Sequence, residues 1–195
     1  MNGAKPARKR EIMEAAARGA CPVCTVLRHR QTQLIEAAEI PRAAHLCNFH
    51  AWALARSAPA ATAAAVFLQA LGARKGEASH RAVKRCDFCN QLQEEEAGKL
   101  QALVEKMREP VFLDWMRAHG ALCLRHARRV YETLPASERQ VVVHLLARTA
   151  SDLQHDLEEY AEHARQGIHA GGGVLGRAAE FLVSQRGIPG EETPC

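Results

Sequence analysis

The sequence predicts an all-α protein, a helical bundle built from two related halves, each closed by a Cys3His metal site. Three observations predict it. Six of the seven cysteines fall into four short motifs: Cys21-Pro22-Val23-Cys24, Cys47-Asn48-Phe49-His50, Cys86-Asp87-Phe88-Cys89 and Cys123-Leu124-Arg125-His126. Apolar residues make up 47% of the chain and aromatics only 5%, with alanine abundant, which suits closely packed helices better than a sheet. No stretch sustains the period-2 alternation of a half-buried strand.

In chain order the motifs read as one C-x2-C and C-x2-H pair written twice. A shift of 76 residues carries Leu46, His50-Ala51 and Pro59-Ala60 onto Leu122, His126-Ala127 and Pro135-Ala136. A shift of 65 carries both cysteines of the first C-x2-C onto the second, and Leu27 onto Leu92. An internal duplication with a longer second insert accounts for both shifts. The chain then divides into an N-terminal tail and short helix (1–18), a first metal-binding repeat (19–76) and a second (77–136). A long C-terminal helix, a Gly-rich linker and a closing helix fill 137–195.

Along the chain, residues 1–8 read as a solvated tail, and Glu11 to Arg18 as a short helix stopped by Gly19. A longer helix runs from about Cys24 to Ala38, burying Val26, Leu27, Leu34 and Ala38, until Pro41 breaks it. Phe49, Trp52, Ala53 and Arg56 have helical spacing, ending near Ser57 to Pro59, and Ala60 to Leu71 forms a compact helix closed by Gly72. Glu77 to Val83 leads into the second C-x2-C, and a helix follows from Asn90 to Met107. Pro110 opens another, with Phe112, Trp115 and Met116 inward and Gly120 at its end. Cys123 to Leu134 repeats the knuckle-to-helix turn. Ser-Glu-Arg-Gln from Ser137 reads as a capping box for the longest helix, whose stripe is Val142, Leu145, Thr149, Leu153 and Tyr160. Gly171-Gly172-Gly173 separates it from a final helix, Val174 to Gln185.

The chemistry resides in the motifs. Taken in chain order, Cys21, Cys24, Cys47 and His50 form one quartet, and Cys86, Cys89, Cys123 and His126 the other. Three thiols and one imidazole are a full tetrahedral ligand set for a structural zinc ion. Each knuckle lies at the start of a predicted helix, where unpaired N–H groups and partial positive charge favour thiolates. Three thiolates, a neutral imidazole and a divalent ion sum to −1; Arg28, Arg85, Arg125, Arg128 and Arg129 read equally as offsetting that charge or as a solvated face. Two Zn2+ ions are therefore expected, with [4Fe–4S] clusters on the same ligands as the alternative. A thioredoxin-like dithiol fits less well, because no strand precedes either C-x2-C and the C-x2-H motifs would lack a role. A disulfide framework is the less favoured use of these cysteines in a reducing compartment.

Other features carry less. Asp152, His155, Glu159 and His163 recur along the long helix and read as a solvated face rather than a ligand set. His29, His45, His119 and His144 read as surface or packed histidines, with His45 and His119 near enough to a knuckle to support it. Trp52 and Trp115 read as core anchors. Gly171 to Gly176 lacks the ending of a phosphate loop, and Cys195 has no assigned role. The net charge of +4 is spread out, and the basic residues Lys5, Arg8, Lys9 and Arg10 lack interleaved aromatics, so nucleic-acid binding is not expected. No segment has the length of apolar sequence that a membrane span needs, and no apolar core follows the basic N-terminus as in a secretory signal. A cytoplasmic protein is expected.

The motif pattern, the helix after each C-x2-C and the closing segment Arg177-Ala178-Ala179-Glu180-Phe181-Leu182-Val183 resemble a family of uncharacterised bacterial all-helical proteins with a duplicated C-x2-C … C-x2-H signature. The likeness covers roughly residues 20 to 186, with Asp87 where that family commonly has proline. It implies the fold and the ligands and brings no established activity. The expected role is a non-enzymatic, metal-stapled scaffold or adaptor for a protein partner. An iron–sulfur protein in electron transfer or redox sensing is the first alternative, and a nucleic-acid-binding regulator the second.

Overall fold

Each knuckle motif starts a helix. The computed structural model describes residues 4–17, 20–36, 45–74, 86–168 and 173–183. Among them are nine α-helices, one 3-10 turn and no strand. In order they are α1 Ala4–Ala16, α2 Pro22–Glu36, α3 Asn48–Ser57, α4 Ala60–Arg74 and α5 Asp87–Met107. Then come α6 Pro110–His119, α7 Leu124–Thr133, the 3-10 turn Ala136–Glu138, α8 Gln140–Arg165 and α9 Gly173–Val183. None of the described helices is long and apolar enough to cross a membrane.

The described residues form two compact units. One holds those up to Val26 and those from Gly98 onward; the other is Leu27–Ala97. In the first, α8 packs against α6, α7 and α9, and α7 also meets α9. Its core includes Ile12, Leu103, Met107, Met116, Leu122, Val130, Val142 and Leu145. In the second, α3 packs on α4, and Leu27, Leu34, Leu54, Phe88 and Leu92 are fully buried. Each such side chain contributes about 1.5–3 kcal/mol by leaving water.

Several expectations need correction. The expected solvated tail is helical from Ala4. Ile12, Ala15 and Ala16 are buried, Lys9 Nζ lies 3.3 Å from Glu105 and Glu11 pairs with Lys99, so contacts with α5 hold a segment of weak amphipathicity. Gly72 does not end α4, which runs on to Arg74; the space beside its Cα is open and imposes no break. Ser137 lies inside the 3-10 turn, and Arg139 rather than a capping serine precedes α8. Trp52 is 59% exposed because His50 and Leu54 occupy the buried face of α3, leaving the indole outside under the Arg56 guanidinium. Trp115 is half-buried and stacks on the buried Phe112. Pro41, Glu77 to Val83, Arg85, Gly171, Gly172 and Cys195 lie outside the described residues.

Candidate metal centres

The local geometry is the same at all four motifs. The carbonyls of Cys21, Cys47, Cys86 and Cys123 each accept the N–H four residues on, at 2.9 to 3.0 Å, so each first cysteine opens a helix. Cys47 (φ −79°, ψ 165°) and Cys123 (φ −72°, ψ 158°) occupy N-cap positions in nearly one conformation. Neither sulfur caps its own helix. Both are turned toward other cysteines.

These starts gather into two quartets, in each of which the four ligand atoms lie within 4.8 Å of one another. The first joins Cys21, Cys24, Cys123 and His126, at the N-termini of α2 and α7, and all four residues are buried. His126 Nδ1 lies 3.3 Å from Cys21 Sγ, 3.3 Å from Cys24 Sγ and 3.1 Å from Cys123 Sγ, and Cys24 and Cys123 sulfurs are 3.6 Å apart. The second joins Cys47, His50, Cys86 and Cys89, at the N-termini of α3 and α5. His50 Nδ1 lies 3.3 Å from Cys47, 3.5 Å from Cys86 and 3.4 Å from Cys89, with the Cys47 and Cys89 sulfurs 3.8 Å apart. Here Cys47 alone is half-buried.

All eight expected ligands are therefore gathered, three sulfurs and one nitrogen to a site, and each unit is closed by one quartet. The pairing differs from chain order. The first C-x2-C closes with the second C-x2-H, and the second C-x2-C with the first C-x2-H. The reason lies in the two helices that follow the C-x2-C motifs. Helix α2 starts in the first unit and ends in the second, and α5 does the reverse. A helix cannot double back on itself, so each delivers the chain to the unit holding the other C-x2-C.

The electrostatics of the thiols suit a cation. Thiol hydrogen bonds from Cys21 and then Cys24 hold Cys123 far below the ordinary thiol range. The Cys89 thiol lowers Cys86 to about 3. Burial, first among the causes, raises Cys21 and Cys47. Four soft or borderline donors, close together and largely dry, are what a structural metal site requires.

The surroundings of the second quartet hold residues that motif reading missed. The ring of His50 stacks on Phe88 (5.2 Å, 18°), and its Nε2 faces the amide of buried Gln31 at 3.5 Å. With Nδ1 turned to the sulfurs, the Gln31 amide at Nε2 stands where a partner that orients the ring would be. Gln31 carries no motif signal. Asp87 accepts the His45 N–H on its carboxylate at 2.9 Å and donates its own N–H to the His45 carbonyl at 3.0 Å. His45 thus supports the knuckle through its backbone. The signal for Asp87 was its place in α5, equivalent to Pro22 in α2.

Other candidates fall outside the centres. Asp152, His155 and Glu159 are exposed, and among the described residues only the two quartets gather three or more such donors. His119 lies against Trp115, and the exposed His29 meets Gln33. Arg28 is exposed and Arg128 pairs with Glu132 at 3.0 Å. Comparisons with family models, with curated proteins and with solved structures each find no match.

Proposed function

We propose that this is a non-enzymatic cytoplasmic scaffold or adaptor, holding two structural Zn2+ ions and presenting helical surfaces to a protein partner. The observation that carries the metal assignment is the spacing of the donors. Around one tetrahedral zinc, bonds of about 2.3 Å to sulfur and about 2.0 Å to nitrogen place sulfurs about 3.8 Å apart and sulfur and nitrogen about 3.5 Å apart. The quartets have sulfur pairs at 3.6 and 3.8 Å and sulfur–nitrogen contacts of 3.1 to 3.5 Å. A [4Fe–4S] cluster binds each ligand through a different iron and needs its donors spread much wider, so the spacing speaks against that alternative.

Four protein donors leave no open position for a substrate, which supports a structural rather than a catalytic metal. Basic side chains including Lys9, Lys106, Arg117, Arg165 and Arg177 pair with carboxylates of this chain, which weakens the case for a nucleic-acid interface. The family resemblance and the internal duplication belong to the same proposal, supported by the matching conformations of Cys47 and Cys123.

Aerobically purified protein is expected to be colourless and to contain about two zinc ions per chain. A brown sample with iron and acid-labile sulfide would replace zinc by the cluster. Cobalt substituted for zinc reports on the coordination sphere. Its visible spectrum should not change on adding azide, and a shift would reveal an open position and a catalytic site.

A further inference from the structure

The two quartets differ in one respect that zinc structure alone does not require. All four ligands of the first are buried, whereas Cys47 of the second is half-buried and lines a surface cavity of about 350 Å³. The cavity lies between the start of α3 and the end of α4. Apolar Leu46, Ala51, Phe67, Ala70 and Leu71 form most of its wall, with Asn48 beside Cys47. A half-buried ligand cysteine that lines an apolar cleft is within reach of small reagents that partition out of water. Behind it, 3.8 Å away, sits the Cys89 sulfur.

Resting on the zinc assignment above, we propose that Cys47 is a modification site for small organic hydroperoxides, and that its oxidation forms a Cys47–Cys89 disulfide and empties the second quartet. A cysteine held as a metal ligand is deprotonated, so Cys47 presents a thiolate. Its sulfur attacks the terminal oxygen of the hydroperoxide. An S–O bond forms, the O–O bond breaks, and the alkoxide leaves and takes a proton from water to become an alcohol. Cys47 is now a sulfenic acid. The Cys89 sulfur attacks the Cys47 sulfur, an S–S bond forms, and hydroxide leaves and is protonated to water. In sum, two thiolates lose two electrons to one hydroperoxide, two protons are consumed, and alcohol and water are released. His50 and Cys86 remain, too few donors to retain the ion. The first quartet, with no sulfur at the surface, is spared.

The test uses the full chain carrying zinc, with metal counted beforehand. Two ions per chain satisfy the zinc assignment independently; a chain without zinc refutes that assignment and this inference with it. On adding cumene hydroperoxide, a chromogenic chelator should record one released ion, with the second at least about tenfold slower. Mass spectrometry after acid alkylation should find Cys47 linked to Cys89, and Cys21, Cys24 and Cys123 reduced. Ala70→Phe narrows the cavity and should keep both ions while slowing the first release at least about fivefold. Equal release of both ions, no release, or oxidation first at the buried quartet overturns the proposal. An unchanged rate in Ala70→Phe overturns the assignment of the cavity as the entry site.

Discussion

At the scale of single residues, the imidazole of His50 is held from three sides. Phe88 stacks on one face, Phe49 meets its edge at 86°, and Gln31 faces Nε2. These contacts hold Nδ1 toward the sulfurs, so the ring needs little reorientation to serve as a ligand. Partners of this kind typically change metal affinity by about 10–100-fold. Gln31→Leu keeps the volume and removes the amide. It should lower metal affinity of the second quartet by about tenfold and leave the first unchanged, measured by chelator competition. Equal weakening of both would show a global loss of fold instead.

At the scale of elements, the two C-x2-C helices begin by different means. Pro22 opens α2 with a backbone angle already suited to a helix and no N–H to satisfy. Asp87 opens α5 and uses the N–H that proline lacks, forming a two-bond clasp with His45. That clasp seats the segment leading to Cys47. Asp87→Pro removes both bonds and should destabilise the protein by about 2–3 kcal/mol, read as a lower denaturant midpoint at constant slope. Asp87→Ala removes one and should fall between. A silent Asp87→Pro would mean that proline geometry serves both motifs equally. The end of α6 depends on a similar long-range contact. Arg148 of α8 donates to the carbonyls of Arg117 and Gly120, placing a cation where the helix dipole favours one. There a Cβ on Gly120 would lie 2.9 Å from the Met116 carbonyl oxygen, so a side chain would force a shift of the backbone.

At the scale of the whole molecule, the sites are nested along the chain. Cys24 and Cys123 are 99 residues apart, and the second quartet, whose Cys47 and Cys89 are 42 apart, lies within that loop. Closing the longer loop removes more unfolded-state entropy, by about 0.8 kcal/mol on a simple loop-closure scale. The nesting makes a sharp prediction. Cys123→Ser should bind one ion fewer and leave Cys21 and Cys24 open to alkylation, while Cys47, Cys86 and Cys89 stay protected. Were the quartets closed in chain order, Cys86 and Cys89 would be alkylated instead. Mass mapping of the alkylated cysteines separates the two outcomes.

The eight candidate donor positions, the all-helical class and most helix starts were legible in the sequence. These are local matters: a cysteine that opens a helix does so through a bond to the N–H four residues on, and stripes such as Val142, Leu145 and Leu153 are short-range patterns. The start of α1 at Ala4 and the exposure of Trp52 were not legible, because both depend on what a helix packs against. Which motifs share a quartet was not legible either. Spacing in sequence places equivalent motifs at equivalent intervals, but metal donors must converge in space. Which ones do so depends on where α2 and α5 deliver the chain.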